Sequence, residues 1–256
     1  MKIFLSALEN GSVDLGEKAL PYLLARKNIS MRWNLMSFFY IKNRLELAEF
    51  IRDNSEEVMV DSGAHSFQKG KKVDWDKYTD EYARFIKKFD RPNVVGYFEM
   101  DVDNVIGYQR VLKLRKKLEA VSNKIIPVWH KNRGIDDFYD MCKRYSGKII
   151  AITGFRNEDI TDEQYLMFLK VARSYNCKVH CLGMTRKAIL DKVPFDYVDS
   201  SSWKQHAVFG NVGKRKATRE FSSNRYTRAE PFLLNYKLAM QDQEYYYKKW
   251  HKVCKD

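Results

Sequence analysis

The sequence predicts an α/β protein, a single (β/α)8 TIM-like barrel with a C-terminal helical extension. Three observations predict it. Eight short apolar runs recur along the chain, segments with apolar spacing near 3.6 residues separate most of them, and several of the runs end on a carboxylate. Strand–helix alternation repeated eight times argues for a parallel sheet, and eight strands close a barrel of this kind. An open doubly wound sheet would want a glycine-rich turn after the first strand, and Asn10-Gly11-Ser12 is too weak a signal for one. No Pro- or Ser-rich linker and no internal repeat interrupts the 256 residues. One domain is expected, with the barrel over about 1–205 and a basic loop and terminal helix over about 206–256.

The runs are Lys2–Leu8, Asn34–Tyr40, Val58–Asp61, Val94–Asp101, Lys124–Trp129, Lys148–Thr153, Lys178–Leu182 and Phe195–Asp199. Between the third and fourth, Asp76–Phe89 places Tyr78, Tyr82, Phe85 and Phe89 on one helical face. After the fourth, Val105–Leu118 does the same with Val105, Tyr108, Leu112 and Leu118. Thr161-x-x-Gln164 is a capping-box signature that opens a helix over Asp162–Ser174. After the eighth run the pattern changes. A basic loop, Gly213–Arg219, continues through Arg225 and Arg228, and a long aromatic-rich helix follows from Ala229 to about Val253.

Composition places the chain among globular proteins, with 45% hydrophobic and 31% charged residues. An excess of 46 Lys+Arg over 33 Asp+Glu gives a formal charge of +13. That balance points to a polyanionic partner, and to nucleic acid before membrane. The plainer alternative is a lysine-rich solvated surface. No apolar run approaches ~18 residues, so no membrane span is expected, and the N-terminus enters a strand pattern without a signal-peptide core. Cys142, Cys177, Cys181 and Cys254 make no disulfide framework for this length, so a reduced, cytoplasmic setting is expected. On a strand, Cys177 and Cys181 would sit ~13 Å apart, too far to share one metal.

In such barrels the active site sits at the carboxyl ends of the strands. In order, that rim would carry Asp61, Ser62 and Gly63; Glu99, Asp101 and Asp103; Trp129 and His130; Gly154, Phe155 and Arg156; Leu182, Gly183 and Met184; and Asp199 and Ser200. Carboxylates crowded together shift one another's pKa and separate acid from base roles. A lone Asp at a strand end is more often a helix cap than a catalyst. His180 lies inside a strand, as a core histidine or a support for the rim, whereas His65 and His130 stand at strand ends.

These rim segments resemble the tRNA-guanine transglycosylase superfamily. Val60-Asp61-Ser62-Gly63-Ala64, with Phe67-Gln68 beyond it, is similar to that family's Asp-Ser-Gly-Gly-Phe-Gln segment, whose Asp is assigned as the general base. Ile150-Ala151-Ile152-Thr153-Gly154-Phe155 is similar to the Ile-Gly-Gly-Leu segment whose backbone contacts the purine. Asp101 falls where the family reads the guanine edge, His130 (after Ile126-Pro127-Val128-Trp129) where it has a Gln, and Asp199 where it has its nucleophile. The order and spacing match from about residue 30 to residue 205. The family's zinc motif is absent, so no zinc subdomain is expected. That absence, the Asp199-Ser200-Ser201-Ser202-Trp203 segment and the short chain resemble the compact phage and plasmid branch that inserts 7-deazaguanines into DNA. A phage-encoded protein of the host cytoplasm is what that branch implies.

The resemblance implies exchange of guanine in DNA for a 7-deazaguanine such as preQ0, with no cofactor and no metal in the active site. Asp199 would be the nucleophile, through a covalent glycosyl intermediate, and Asp61 the general base. Asp101, His130, Gly154, Phe155, Ser62 and Gly63 would bind the base. Phe155, Trp129 or Phe67 could stack on it once the nucleotide leaves its helix. Lys214, Arg215, Lys216, Arg219, Arg225 and Arg228 would hold backbone phosphates. The rival expectations are tRNA in place of DNA; a metal-dependent hydrolase with Asp61, His65, Asp101, His130 and Asp199 as ligands; and a nucleic-acid-binding protein without catalysis.

Overall fold

The computed structural model describes residues 1–10, 19–67, 73–153, 160–213 and 229–254, and the backbone alone of 215–216. Nine strands pair, all in parallel, into a nearly closed barrel. In chain order they are β1 (Lys2–Ser6), β2 (Met31–Ser37), β3 (Ser55–Asp61), β4 (Val94–Phe98), β5 (Ile125–Ile126), β6 (Val128–Trp129), β7 (Ile149–Thr153), β8 (Lys178–Leu182) and β9 (Tyr197–Ser200). They run β5-β4-β3-β2-β1-β9-β8-β7-β6. The two ends of that order flank Pro127, which has no N–H to give to a ladder and so divides the run. Its carbonyl still accepts from Ala151 N at 2.8 Å.

The helices in chain order are α1 (Leu20–Arg26), α2 (Phe38–Ile41), α3 (Leu45–Asp53), α4 (Trp75–Phe89), α5 (Asp103–Ile106), α6 (Tyr108–Glu119), α7 (Gly134–Arg144), α8 (Asp162–Ser174), α9 (Lys187–Leu190), α10 (Ser202–Val208) and α11 (Glu230–Cys254). In α4 the expected face is buried: Tyr78, Tyr82, Phe85 and Phe89 all turn inward. Thr161 and Gln164 close both bonds of the capping box at the start of α8, worth about 1 kcal/mol to a helix.

Two expected elements differ. The second run was expected to be strand from Asn34 to Tyr40, yet the strand ends at Ser37 and Phe38–Ile41 is a helical turn. Phe38 and Ile41, three apart, are both buried, and Phe38 packs its ring on Tyr78, Tyr82 and Phe85. A strand would have turned every second one of these residues to the other face. The expected single helix over Val105–Leu118 is two, α5 and α6, because Gly107 takes φ +80° between them. The break resets the helical phase. Val111, Leu114, Arg115 and Leu118 form the buried face, and Val105 is exposed.

Alternate strand residues fill the barrel. Phe4, Trp33, Leu35, Met59, Phe98, Ile126, Val128, Ala151 and Tyr197 form a cluster of their own, and the His180 ring packs among Phe98, Phe4 and Tyr197. The outer core lies between strands and helices. α11 covers the other end from the rim: Gln243 donates to Ile3 O and Trp33 O, and Tyr247 packs against Trp33. The long helix therefore packs against the barrel at the end away from the rim. No helix among the described residues is long and apolar enough to cross a membrane, and all four cysteines are free and buried.

Candidate active site

The strand registers decide which side chains face inward. Side-by-side partners in a parallel sheet point to the same face. Leu35 pairs with Met59 and Ser37 with Asp61, so Asp61 shares the inward face of Met59, one step nearer the carboxyl end. Phe4 pairs with Asp199, so Asp199 points inward too. Both carboxylates therefore project into the same mouth, from β3 and β9, with β2 and β1 between them in the sheet.

Three donors converge on Asp199. His180 Nε2 lies 3.0 Å and Gly183 N 2.8 Å from Oδ1, and Ser6 donates to Oδ2 at 3.1 Å. His180 is fully buried, and with Asp199 as a carboxylate it is Nε2 that carries the ring proton. These bonds fix the orientation of the carboxylate and leave Oδ2 with the single hydroxyl donor.

Asp61 is held differently. Oδ2 accepts from Gly63 N at 2.9 Å. Burial raises the carboxyl from its ordinary 3.8 to about 7; the Gly63 N–H opposes this, and the charges of Asp101, Asp199 and Glu9 add to it. Gly63 itself is required. It has φ +71°, and a Cβ there would stand 2.5 Å from Phe39 Cβ and 2.7 Å from Ser37 Oγ, closer than packed atoms approach. Ser62 is buried beside it, and Tyr78 donates to its carbonyl at 2.8 Å.

Beyond neighbouring β4 and β6, His130 Nε2 lies 2.5 Å from Asp101 Oδ1 and 3.7 Å from Asp103 Oδ1. Arg133 Nη1 is 3.9 Å from Asp103 Oδ2. Burial alone would lower the His130 pKa, but the hydrogen bond and charge of Asp101, joined by Asp103, hold it above the usual histidine value. Asp101, Asp103 and His130 are the one grouping among the described residues close enough to share a metal ion. Asp61, His65 and Asp199 are not part of it, and Arg133 already brings positive charge to it.

Glu99 was expected on the rim and is not there. It is buried, and Arg115 of α6 grips it through two bonds of 2.6 and 2.8 Å while Val128 N gives a third of 2.6 Å. Trp129, a candidate stacking residue, is also turned into the core. It is buried, donates to Gly134 O and packs on Phe138 and Phe168. Phe67 stays partly exposed, against Phe39, Trp75 and Tyr78. Gly154, Phe155, Lys214, Arg219, Arg225 and Arg228 lie outside the described residues. Arg215 and Lys216 form a short strand, β11, antiparallel to β10 (Asn211–Val212), so part of the expected basic loop is a hairpin.

Sequence reasoning missed Glu9, Lys204, Ser6, Arg115 and Arg133. Glu9 had the same signal as Asp61, a carboxylate just past an apolar strand. Arg115 had none, because its partner is set by packing. A cavity of about 380 Å³ opens elsewhere, between α2, α3 and α4, lined by Lys42, Leu45, Arg84 and Lys88 among others; no rim residue lines it.

An α/β chain with a nearly closed parallel barrel and inward carboxylates at one mouth is the class that fold and site define. No protein-family model, no curated protein and no solved structure matches the chain.

Proposed function

We propose that the protein is a nucleobase-exchanging transglycosylase that replaces guanine in DNA with a 7-deazaguanine of the preQ0 type. Counting β5 and β6 as one strand divided at Pro127 makes its scaffold a (β/α)8 barrel. The observation that carries the reading is the pairing of Asp61 and Asp199 on the inward face of one mouth, in two different environments. Breaking an N-glycosidic bond develops positive charge at C1′. Asp199, oriented by His180, Gly183 and Ser6, would meet that charge with Oδ2 and form the glycosyl-enzyme. Asp61, raised to about 7, can give up and take back a proton near neutral pH, as a base serving the leaving and incoming purines must. Asp101, held by His130, would accept from the purine N1–H and exocyclic amine. The chain's +13 charge suits a nucleic-acid substrate.

The grouping of Asp101, Asp103 and His130 favours a second reading, a metal-dependent hydrolase, which metal analysis of the purified protein decides. The direct test is base exchange. Protein and preQ0 are incubated with DNA or with tRNA, and the digested nucleosides are analysed by mass spectrometry. The deoxy product, lost in Asp199→Ala with fold and nucleic-acid binding retained, is the expected result. A ribo product moves the substrate to tRNA. No product from either, with bound metal, overturns the proposal.

A further inference from the structure

Glu9 takes no part in the reaction as proposed, yet it lies at the same mouth. It follows β1, whose Ser6 holds Asp199. Ala7 takes a left-handed φ of 70°, a conformation that costs a residue with a Cβ roughly 1 kcal/mol. Beyond that turn Leu8 and Glu9 are both buried, Glu9 being only 2% exposed. Oε1 accepts from Ser37 N at 2.9 Å, and Ser37 is the register partner of Asp61. The carboxyl is thus fastened to the backbone one strand away from the base.

Its other oxygen is the anomaly. Oε2 is buried without a hydrogen-bond partner among the described residues, and so are Ser37 Oγ and Ser62 Oγ beside Asp61. Cations stand near but bond elsewhere: Arg44 donates to the Glu9 carbonyl at 3.1 Å, and Lys204 donates to Asn10 O. A glutamine would clamp Ser37 N as well, without a buried charge. Glu99 shows what a structural carboxylate looks like in this molecule, with a bidentate arginine and a third donor. Glu9 has neither. Burial raises it to about 7, against the pull of Ser37 N–H, Lys204 and Arg44.

We propose that Glu9 is a positioning residue for Asp61: its carboxyl pins the end of β2 beside Asp61, and its charge governs when Asp61 can act as a base. The two carboxyls then titrate as a pair, each ionising less readily when the other is charged. Asp101, past the end of neighbouring β4, and Asp199, from β9, act on Asp61, Tyr78 and Tyr82 lie near it from α4, and Lys204 and Arg44 face Glu9 from α10 and from the residue before α3. The link to catalysis rests on Asp61 as the base; the pairing itself does not.

Carbon-detected NMR titration of the carboxyls in the intact protein tests it. Glu9→Gln, which keeps an acceptor for Ser37 N, should lower the Asp61 midpoint by roughly half a pH unit or more. By reciprocity, Asp61→Asn should lower the Glu9 midpoint by the same amount. Should one variant fail to fold, the other decides alone. Unmoved midpoints overturn the proposal. Moved midpoints in a protein without base exchange would remove the proposed function and keep this inference, and exchange with unmoved midpoints would do the reverse.

Discussion

The two sides of the mouth treat negative charge in opposite ways. On the side of β4, β5 and β6 each inward or buried acid among the described residues has a basic side chain against it, Arg115 for Glu99, His130 for Asp101, and His130 and Arg133 for Asp103, although burial still leaves Glu99 above its ordinary value. On the side of β1, β2 and β3, Glu9 and Asp61 have only backbone N–H donors, and both are raised to about 7. A balanced carboxylate is a fixed acceptor, suited to holding a base edge or a helix in place. An unbalanced one changes its charge near neutral pH, and is suited to moving a proton. Under the proposed function, one side would bind the base and the other would move the proton.

Breaking the balance on the first side should give the largest effect on stability. Arg115→Met strands Glu99 as a buried, uncompensated charge, and a loss of about 3–5 kcal/mol is expected in denaturant unfolding. Burial works against both charges: Glu99 more than offsets it for Arg115, whereas Arg115 and the Val128 N–H only partly offset it for Glu99, which stays above its ordinary value. Glu99→Gln with Arg115→Met should lose much less.

The second side predicts the opposite sign. A carboxyl whose folded pKa is raised stabilises the fold below its unfolded value, and that contribution is lost as pH rises through the folded one. Asp61→Asn should therefore stabilise the protein above pH 7, by up to about 4 kcal/mol for a shift from 3.8 to about 7, while abolishing exchange. The gain should fade as pH falls from about 7 towards 4, in thermal unfolding followed across pH. A uniform gain at all pH values would show that the packing of Asn, and not the charge, is responsible.

These contrasts also separate what the sequence discloses from what it hides. Asp61 and Asp199 are legible because each ends an apolar run, and period-2 alternation puts each on the same face as the residue two before it, Met59 and Tyr197, which fill the barrel. His130 and Asp101 are legible as strand-end residues, but not as a bonded pair, since that contact joins two strands. Glu99 is misread for the same reason: one residue past β4 it could face the mouth or the helix layer, and only Arg115, sixteen residues on, decides. The α5–α6 break needed the conformation of Gly107, which the apolar spacing alone conceals.

The smallest expected effect lies outside the mouth. Charge reversal across Lys214–Arg219 should weaken nucleic-acid binding in a salt-dependent way, lowering the slope of log affinity against log salt by about 1 per lost phosphate contact. An unchanged slope returns that segment to solvated surface.

The most direct measurement is to trap the glycosyl-enzyme. The protein is held with guanine-containing DNA and no incoming base, quenched in denaturant, proteolysed and analysed by mass spectrometry. A nucleotide adduct is expected on the peptide bearing Asp199, absent in Asp199→Ala and formed in Glu9→Gln. An adduct on any other residue, or base exchange without an adduct, would contradict it.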